Sequence, residues 1–522
     1  MPTDYLSQVL EPPISEWPSM QVRLGDASLQ ALRSEGRRRL LTAAEQYRQK
    51  LTEIGLKSGL LQQSTTLLTG DPDASAIVMT GHQPVIFHSG LTFKYKATEE
   101  FAAANNAIGL AIVIDTDEGD AGDFSYPQRA QVDSRSPGDH SSAVLDDWPQ
   151  VTTATASFAQ TSSSYATSRK KAADDVMATA SLVTAGLQSC GCDESAVKFQ
   201  ATAEQYAAVQ TDLMVEANLI VRWNAGIGGR MLELPLSAVC RFPEVVRFFA
   251  EILARPFEFA DCYNETLNTF RADQKIRNEA NPFPNVQREN LRTELPFWIV
   301  DTKAGTRSVV AVRKQGIERV LETAEGVLTE LLPGNEAATI FSLMMSGHQL
   351  IPRGALITTM LRLLFSDLFV HGTGGGKYDR CTDQLIRKWW HVEPTPFAVA
   401  SASRYLFTEQ RTQLSHLQTI VEQMRDLQFN PQRHFGTGIF SAEMEERLGQ
   451  MLVTRDDAVQ RLKQARETGQ SARDIGMEIQ RIADDVKAFV GAEFSPQMAM
   501  FDSLSTDTIA TWNNRTWPWL FF

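Results

Sequence analysis

Apolar residues along this chain change rhythm several times, and each rhythm predicts a different element. Over 27–54, "ASLQALRSEGRRRLLTAAEQYRQKLTEI", they recur at helical spacing among good helix formers, which predicts a helix. A turn cluster, "TGDPDAS", follows. The run "AIVMT" (76–80) then predicts a buried strand, "LTFKYKATEEFAAANN" (91–106) a helix, and "LAIVID" (110–115) a second strand. Strand, glycine-bounded loop, helix and strand in that order make a βαβ unit, and hence a parallel sheet.

Residues 133–168 are rich in Ser, Thr and Ala with few large apolar groups, and read as a long loop or surface insertion. Globular character returns over 232–300, where "ELPFWIVD" predicts a buried strand. Later, "GALITTMLRLLFSDL" (354–368) predicts a helix, "LFVHG" (368–372) a strand, "GTGGGKYD" (372–379) a glycine turn and "YDRCTDQLIRKWW" another helix. From about 405 the apolar steps become three and four: Leu414, Leu417, Val421, Met424, and again Ile475, Ile479, Ile482, Val486, Phe489. With a break at "FNPQRHFGTG" (429–438), this predicts two long helices folded back as an antiparallel coiled coil.

The expected fold class is therefore α/β, a Rossmann-like parallel-sheet core with a coiled-coil helical hairpin near the C-terminus. Its parts are an N-terminal helical segment (1–70) packing on the core, the core itself (71–400), the hairpin (401–495) and a C-terminal segment (496–522). The tail "NNRTWPWLFF" is too aromatic to stay in water and should dock back on the core. The hairpin serves as a scaffold or as the surface of a homodimer.

Composition narrows the partners. The formal charge is −13, and no Lys/Arg block is long enough to track a phosphate backbone, which argues against nucleic acid and leaves small-molecule substrates. The first residues have neither a basic start nor an apolar stretch, and no run approaches the roughly 18 apolar residues of a membrane helix. Five scattered cysteines suit a reducing, cytoplasmic setting without disulfides or CxxC metal spacing.

The candidate chemistry begins in "GHQPVIFHSG" (81–90), and Gly-His-Gln recurs in "SGHQLIPRGA" (346–355). In a βαβ unit the loop after the first strand and the acids after the second lie on one carboxyl edge. Gly81, His82 and Gln83 should therefore face Asp115 and Asp117 of "DTDEGDAGD" (115–123). His88, Gly90 and a lysine of the next helix, Lys94 or Lys96, are further candidates for phosphate contact. Two lysines at i and i+2 diverge on a helix, so one face cannot present both. His371 followed by Gly372, Gly374, Gly375 and Lys377 forms a second candidate anion site, because a strand, glycines and a helix N-terminus converge free N–H groups. Neither G-x-G-x-x-G nor a Walker loop is present. Asp115 and Asp117 are of the type that holds a ribose, a substrate amine or Mg2+. Each feature has a plainer reading: a Gly-His-Gln turn can simply cap a strand, and an acid run is often a solvated loop. A metal site built from His82, His88, His348, His371 and Asp117 has no supporting motif spacing.

The order of parts resembles the BshC family, cysteine ligases of bacillithiol biosynthesis. Members carry T-G-Q-Q-x-G-L-x-x-G-P-L-Y-T-x-x-K-A after the first strand; "TGHQPVIFHSGLTFKYKA" matches at Thr80, Gly81, Gln83, Gly90, Leu91, Lys96 and Ala97. The family's acidic E-D-H-D motif aligns with Asp117, Glu118 and Asp120, with Gly119 in place of its His. "IPRGAL" (351–356) and "HGTGGGKYD" (371–379) correspond loosely to a P-R-A/x-L segment and a Gly-rich turn. The resemblance implies an ATP-linked ligase or adenylating enzyme joining a small amino acid to an amine. ATP or another adenine nucleotide, with Mg2+, would be its cofactor. It favours Lys96 over Lys94; the positions of the residues themselves make His82, Asp117 and His371 the candidate catalytic groups. The alternative is a nucleotide-binding or scaffold protein of the same fold without catalysis, which Gly119 favours.

Overall fold

The computed structural model describes residues 23–24, 27–62, 66–130, 150–278, 280, 283–316 and 318–522. A short pair, β1 (Arg23–Leu24) and β2 (Ala27–Ser28), precedes the long helix α1 (Leu29–Lys57). The predicted βαβ unit follows as β3 (Ile77–His82), α2 (Ser89–Ala104) and β4 (Ile108–Val113); the helix and the second strand begin and end two residues earlier than the apolar pattern suggests, and β3 ends two residues later. β5 (Asp123–Arg129) and β6 (Val151–Ser157) form an antiparallel pair. β6 lies inside the Ser/Thr-rich stretch expected to be a loop: its β-branched "VTTATAS" pairs along its whole length with β5. Residues 133–149 of that stretch lie outside the described residues.

Three further parallel strands complete the core sheet: β7 (Leu232–Pro235), and, much later in the chain, β13 (Leu368–His371) and β14 (Phe397–Val399). The order is β14-β13-β3-β4-β7, every neighbour parallel. Numbered along the chain this is 3-2-1-4-5 from the β7 edge, the order of a Rossmann-like sheet. β3 and β4 read as unbroken apolar runs because both sheet faces are covered. The switch point, where successive strands begin to be laid on the other side, falls between β3 and β13.

Between these two halves the chain builds a second sheet, antiparallel, of β8 (Arg292–Asp301), β9 (Thr306–Gln315), β10 (Glu318–Thr323), β11 (Gly326–Glu330) and β12 (His348–Pro352), ordered β11-β10-β9-β8-β12. Of it the apolar pattern foresees only the strand in "ELPFWIVD". The second Gly-His-Gln is part of this sheet and does not open a βα unit. His348 starts β12 opposite Asp301 of β8, after Gly347 reverses the chain at φ +92°. The first tripeptide ends a parallel strand and the second begins an antiparallel one, so the two are not equivalent.

Helix α3 (Ala355–Leu364) leads to β13, and α4 (Thr373–Trp390) leaves it. Beyond β14 come three long helices where the apolar steps predict two, α5 (Thr408–Phe429), α6 (Ala442–Glu467) and α7 (Arg473–Ser503), and then a short one over Thr506–Trp512. The extra break is a turn at Gly469 (φ +70°), set among polar residues where no change of apolar rhythm marks it. Val486, Val490 and Phe494 of α7 pack with Ile420 and Leu427 of α5 and Leu448 of α6. The aromatic tail does dock: Trp512, Trp517, Leu520 and Phe521 are buried, and Trp519 donates its backbone N–H to the Phe87 carbonyl at 2.7 Å. Among the described residues no helix is long and apolar enough to cross a membrane.

The two strands at the switch point are tied together at their amino ends by one buried carboxylate. Asp367, next to the start of β13, accepts the Ile77 backbone N–H of β3 at 2.7 Å. It also pairs with Arg33 and, at 3.0 Å, with Arg37, both on α1. Removing one partner from such a buried set strands the other charges. Asp367→Asn is therefore expected to lower stability by about 3–5 kcal/mol, read as the shift in the urea unfolding midpoint at neutral pH.

Candidate functional site

The carboxyl ends of the parallel strands deliver His82 and Gln83 after β3, Asp115 to Glu118 after β4, Ser237 after β7, and His371 to Gly376 after β13. Facing them is the antiparallel sheet, with Trp298, Arg307, Gln349 and Arg353. Cavities of about 250 and 430 Å3 lie between the two layers, a third of about 220 Å3 lies at the carboxyl ends of β3 and β13, and all three are bordered by Asp117. They form one crevice. Its inner end, at the switch point, is lined by Gly81, His82, Gln83, His371, Gly375 and Asp379.

His82 points its Nδ1 at the Gln83 carbonyl at 3.2 Å, and its ring meets Phe87 edge-on at 5.5 Å between centroids. A carbonyl only accepts, so Nδ1 carries the proton and Nε2 is left bare. Burial, and then the positive Lys94, push its pKa down to about 3, and the ring is neutral at pH 7. Gln83 donates to Asp117 Oδ2 at 3.0 Å, and Arg307 donates to Asp117 Oδ1 at 2.8 Å. Arg307 also reaches Glu118 at 3.3 Å and stacks on Trp298 at 4.5 Å. Asp117 is thus the clasp between the sheets.

Asp115 borders the 250 Å3 cavity, yet both its oxygens are taken by Ser237, one by the backbone N–H at 3.0 Å and the other by the hydroxyl. Burial pushes its carboxyl pKa up despite those bonds. Its role is to fasten the end of β4 to the start of the helix after β7.

His371 is buried and its Nε2 lies 3.0 Å from Asp379 Oδ2. Burial alone would raise the Asp379 carboxyl, but His371 and Arg362 (2.7 Å) hold it well below the usual carboxylate range. The glycines stand within the first turn of α4, not ahead of it: Gly372 is the N-cap position, and no side chain caps the helix. A Cβ on Gly375 would lie 2.7 Å from the His371 ring, and one on Gly376 2.1 Å from Val399. A Cβ on Gly374 would meet nothing and one on Gly372 only Leu91 at 4.0 Å, and both glycines stand outside the walls of the three cavities. Lys377 is exposed beside Tyr378 and borders none of the three cavities.

Three sequence candidates are drawn elsewhere. His88 caps α2, its Nδ1 accepting from the Gly90 N–H at 3.1 Å. Gly90 is glycine because a Cβ would press on His88 at 2.9 Å and on the Ala402 carbonyl at 3.0 Å. Lys96 turns outward to Glu99 at 3.6 Å, while Lys94 turns inward, almost fully buried, and donates to the Gly81 carbonyl at 2.7 Å. Gly119 is built in: its φ of +129° disfavours any side chain, and a Cβ would meet Tyr165 at 3.1 Å. A histidine does not fit there.

Sequence reasoning misses Arg307 and Trp298 outright, because they act across a sheet that the pattern barely marks. Arg353 stands in "IPRGAL", where the motif assigns it no role. Among the described residues no three His, Cys, Asp or Glu side chains gather as a metal site, and all five cysteines are free thiols. No known family model and no curated protein sequence matches this chain.

Lys94 yields a pH prediction. Burial lowers its pKa to about 7 from 10.5. Below pH 7 folded and unfolded chains both hold the proton, and the burial penalty is fully present. Between pH 7 and 10.5 only the unfolded chain holds it, so this group's contribution makes the fold more stable as pH rises. Urea unfolding at pH 6 and pH 9 should show a rise in wild type, on the order of a few kcal/mol, that Lys94→Met flattens.

Proposed function

We propose that this chain is an ATP-linked ligase or adenylating enzyme of the BshC type that joins a small amino acid to an amine. The observation that carries the reading is the crevice at the switch point of a 3-2-1-4-5 parallel sheet, where sheets of this order take nucleotides. There an uncapped helix N-terminus at Thr373–Gly375 offers backbone N–H groups ahead of the first intrahelical bond, from Gly376 to Gly372, and the positive end of an 18-residue dipole. ATP would supply the activated phosphoryl or adenylyl group.

The chain's own residues divide the remaining work. The α4 N-terminus and the open space at Gly374 hold phosphate oxygens. His82 meets an uncharged amine with a bare Nε2 that accepts its N–H. An anion beside it would raise its pKa, and the protonated ring then donates to that anion. Asp117 and Arg307 fix the spacing of the two crevice walls. His371 is a positioning residue, because its Nε2 is spent on Asp379 beneath the glycine turn. In this reading the three long C-terminal helices are a coiled-coil scaffold and the place to look for a homodimer contact.

The second reading, a binding protein without turnover, has one observation in its favour: Gly119 leaves no room for the family's histidine. Calorimetric titration with ATP, alongside ATP turnover over a panel of amino acids, separates the two. His82→Ala is expected to cut turnover by roughly 10²–10³-fold while nucleotide affinity holds. Gly374→Val should block nucleotide binding itself, since its side chain meets no protein atom and competes only with what enters. A wild type that binds no nucleotide refutes the ligase; one that binds without turnover supports the second reading.

A further inference from the structure

We infer that the cavity of about 430 Å3 between the sheets seats a zwitterionic amino acid with a large apolar side chain, its carboxylate on Arg353 and its ammonium on Asp117. This rests on the ligase reading for its chemistry and replaces that reading's small amino acid with a bulky apolar one.

Arg353 carries the argument. Its side chain is 16% exposed, and among the described residues it has one ion pair, with Glu294 at the outer limit of 4.0 Å. Among the described residues its guanidinium makes no hydrogen bond, so donors at the cavity wall are left to a ligand or to water. Its planar group is stacked on Trp298 at 4.8 Å, on the same indole that carries Arg307 at 4.5 Å. Stacking fixes the plane of the donors, and a fixed fork of parallel N–H groups matches a carboxylate.

Charge balance selects the rest of the ligand. The charged groups in the cavity wall are Arg307, Arg353 and Asp117, and Glu118 and Glu294, paired with these arginines from outside the wall, bring the local formal sum to −1. A lone anion adds to that excess, and a doubly charged phosphate adds more. A zwitterion leaves it unchanged, and Asp117 borders the same cavity as Arg353. The remaining wall is apolar: Tyr263, Phe283, Pro352 and Ile357 surround space that a small polar side chain would leave wet.

Titration calorimetry on the full-length chain, without nucleotide, tests this with phenylalanine, phenylalaninamide, 3-phenylpropionate, glycine and inorganic phosphate. Phenylalanine should bind, and each of the other four should bind at least tenfold more weakly. Arg353→Lys should lose at least tenfold in phenylalanine affinity with an unchanged melting temperature, and Trp298→Phe should remove the ligand-induced change in tryptophan fluorescence. The comparison of acid with amide is made on wild type, so it stands even where a variant misfolds. Absence of phenylalanine binding, equal binding of the amide, or a preference for phosphate overturns the inference. Because no nucleotide is present, failure of the ligase reading would appear separately, as amino-acid binding without ATP binding.

Discussion

A single buried carboxylate holds the geometry of this molecule together. Asp367 joins α1, the first residue of β3 and the entry to β13, so the strands on either side of the switch point share one origin. From there Leu368 pairs with Val78 and Phe369 with Met79, and the backbone carries that register up to His82 and His371. The separation of these two histidines across the crevice is therefore set at the opposite end of the sheet. Their loops do not have to hold it.

The crevice is polar yet almost without free charge. Asp117 is shared between Gln83 and Arg307, Asp115 is spent on Ser237, and Asp379 balances His371 and Arg362. His82 is neutral by burial. Groups held this way do not need to reorganise when a ligand's charge arrives, which is what a preorganised site requires. Arg353, loosely paired, is the exception.

The βαβ unit was legible because strands covered on both faces read as plain apolar runs, and its carboxyl-edge logic already brings His82, Gln83 and Asp117 together. The antiparallel sheet was far less so. "TRSVVAVRKQ" has only three buried positions in ten, and nothing local says that Arg307 will reach Asp117 from the facing layer. The repeated tripeptide misled for the same reason: three residues do not encode which kind of strand they adjoin. The choice between Lys94 and Lys96 was open to reading without a family pattern. Gly90, Lys94 and Thr98 lie four apart along the inward stripe of α2, and Lys96 falls on the far side. His88 as a cap was likewise readable from its place just before the helix, though it drew attention as a ligand instead.

The docked tail bears on how the molecule comes into being. Trp519 is bonded to Phe87, and Pro518 is bridged to His88, in the loop that leads from His82 into α2. β13, the far wall of the switch point, also enters late in the chain. During synthesis from the N-terminal end, β3 and β4 can pair early, but the loop beside His82 waits for partners made far later in the chain. A partly made chain therefore holds a sheet and no finished crevice, and any ligand it catches there meets only half of the walls.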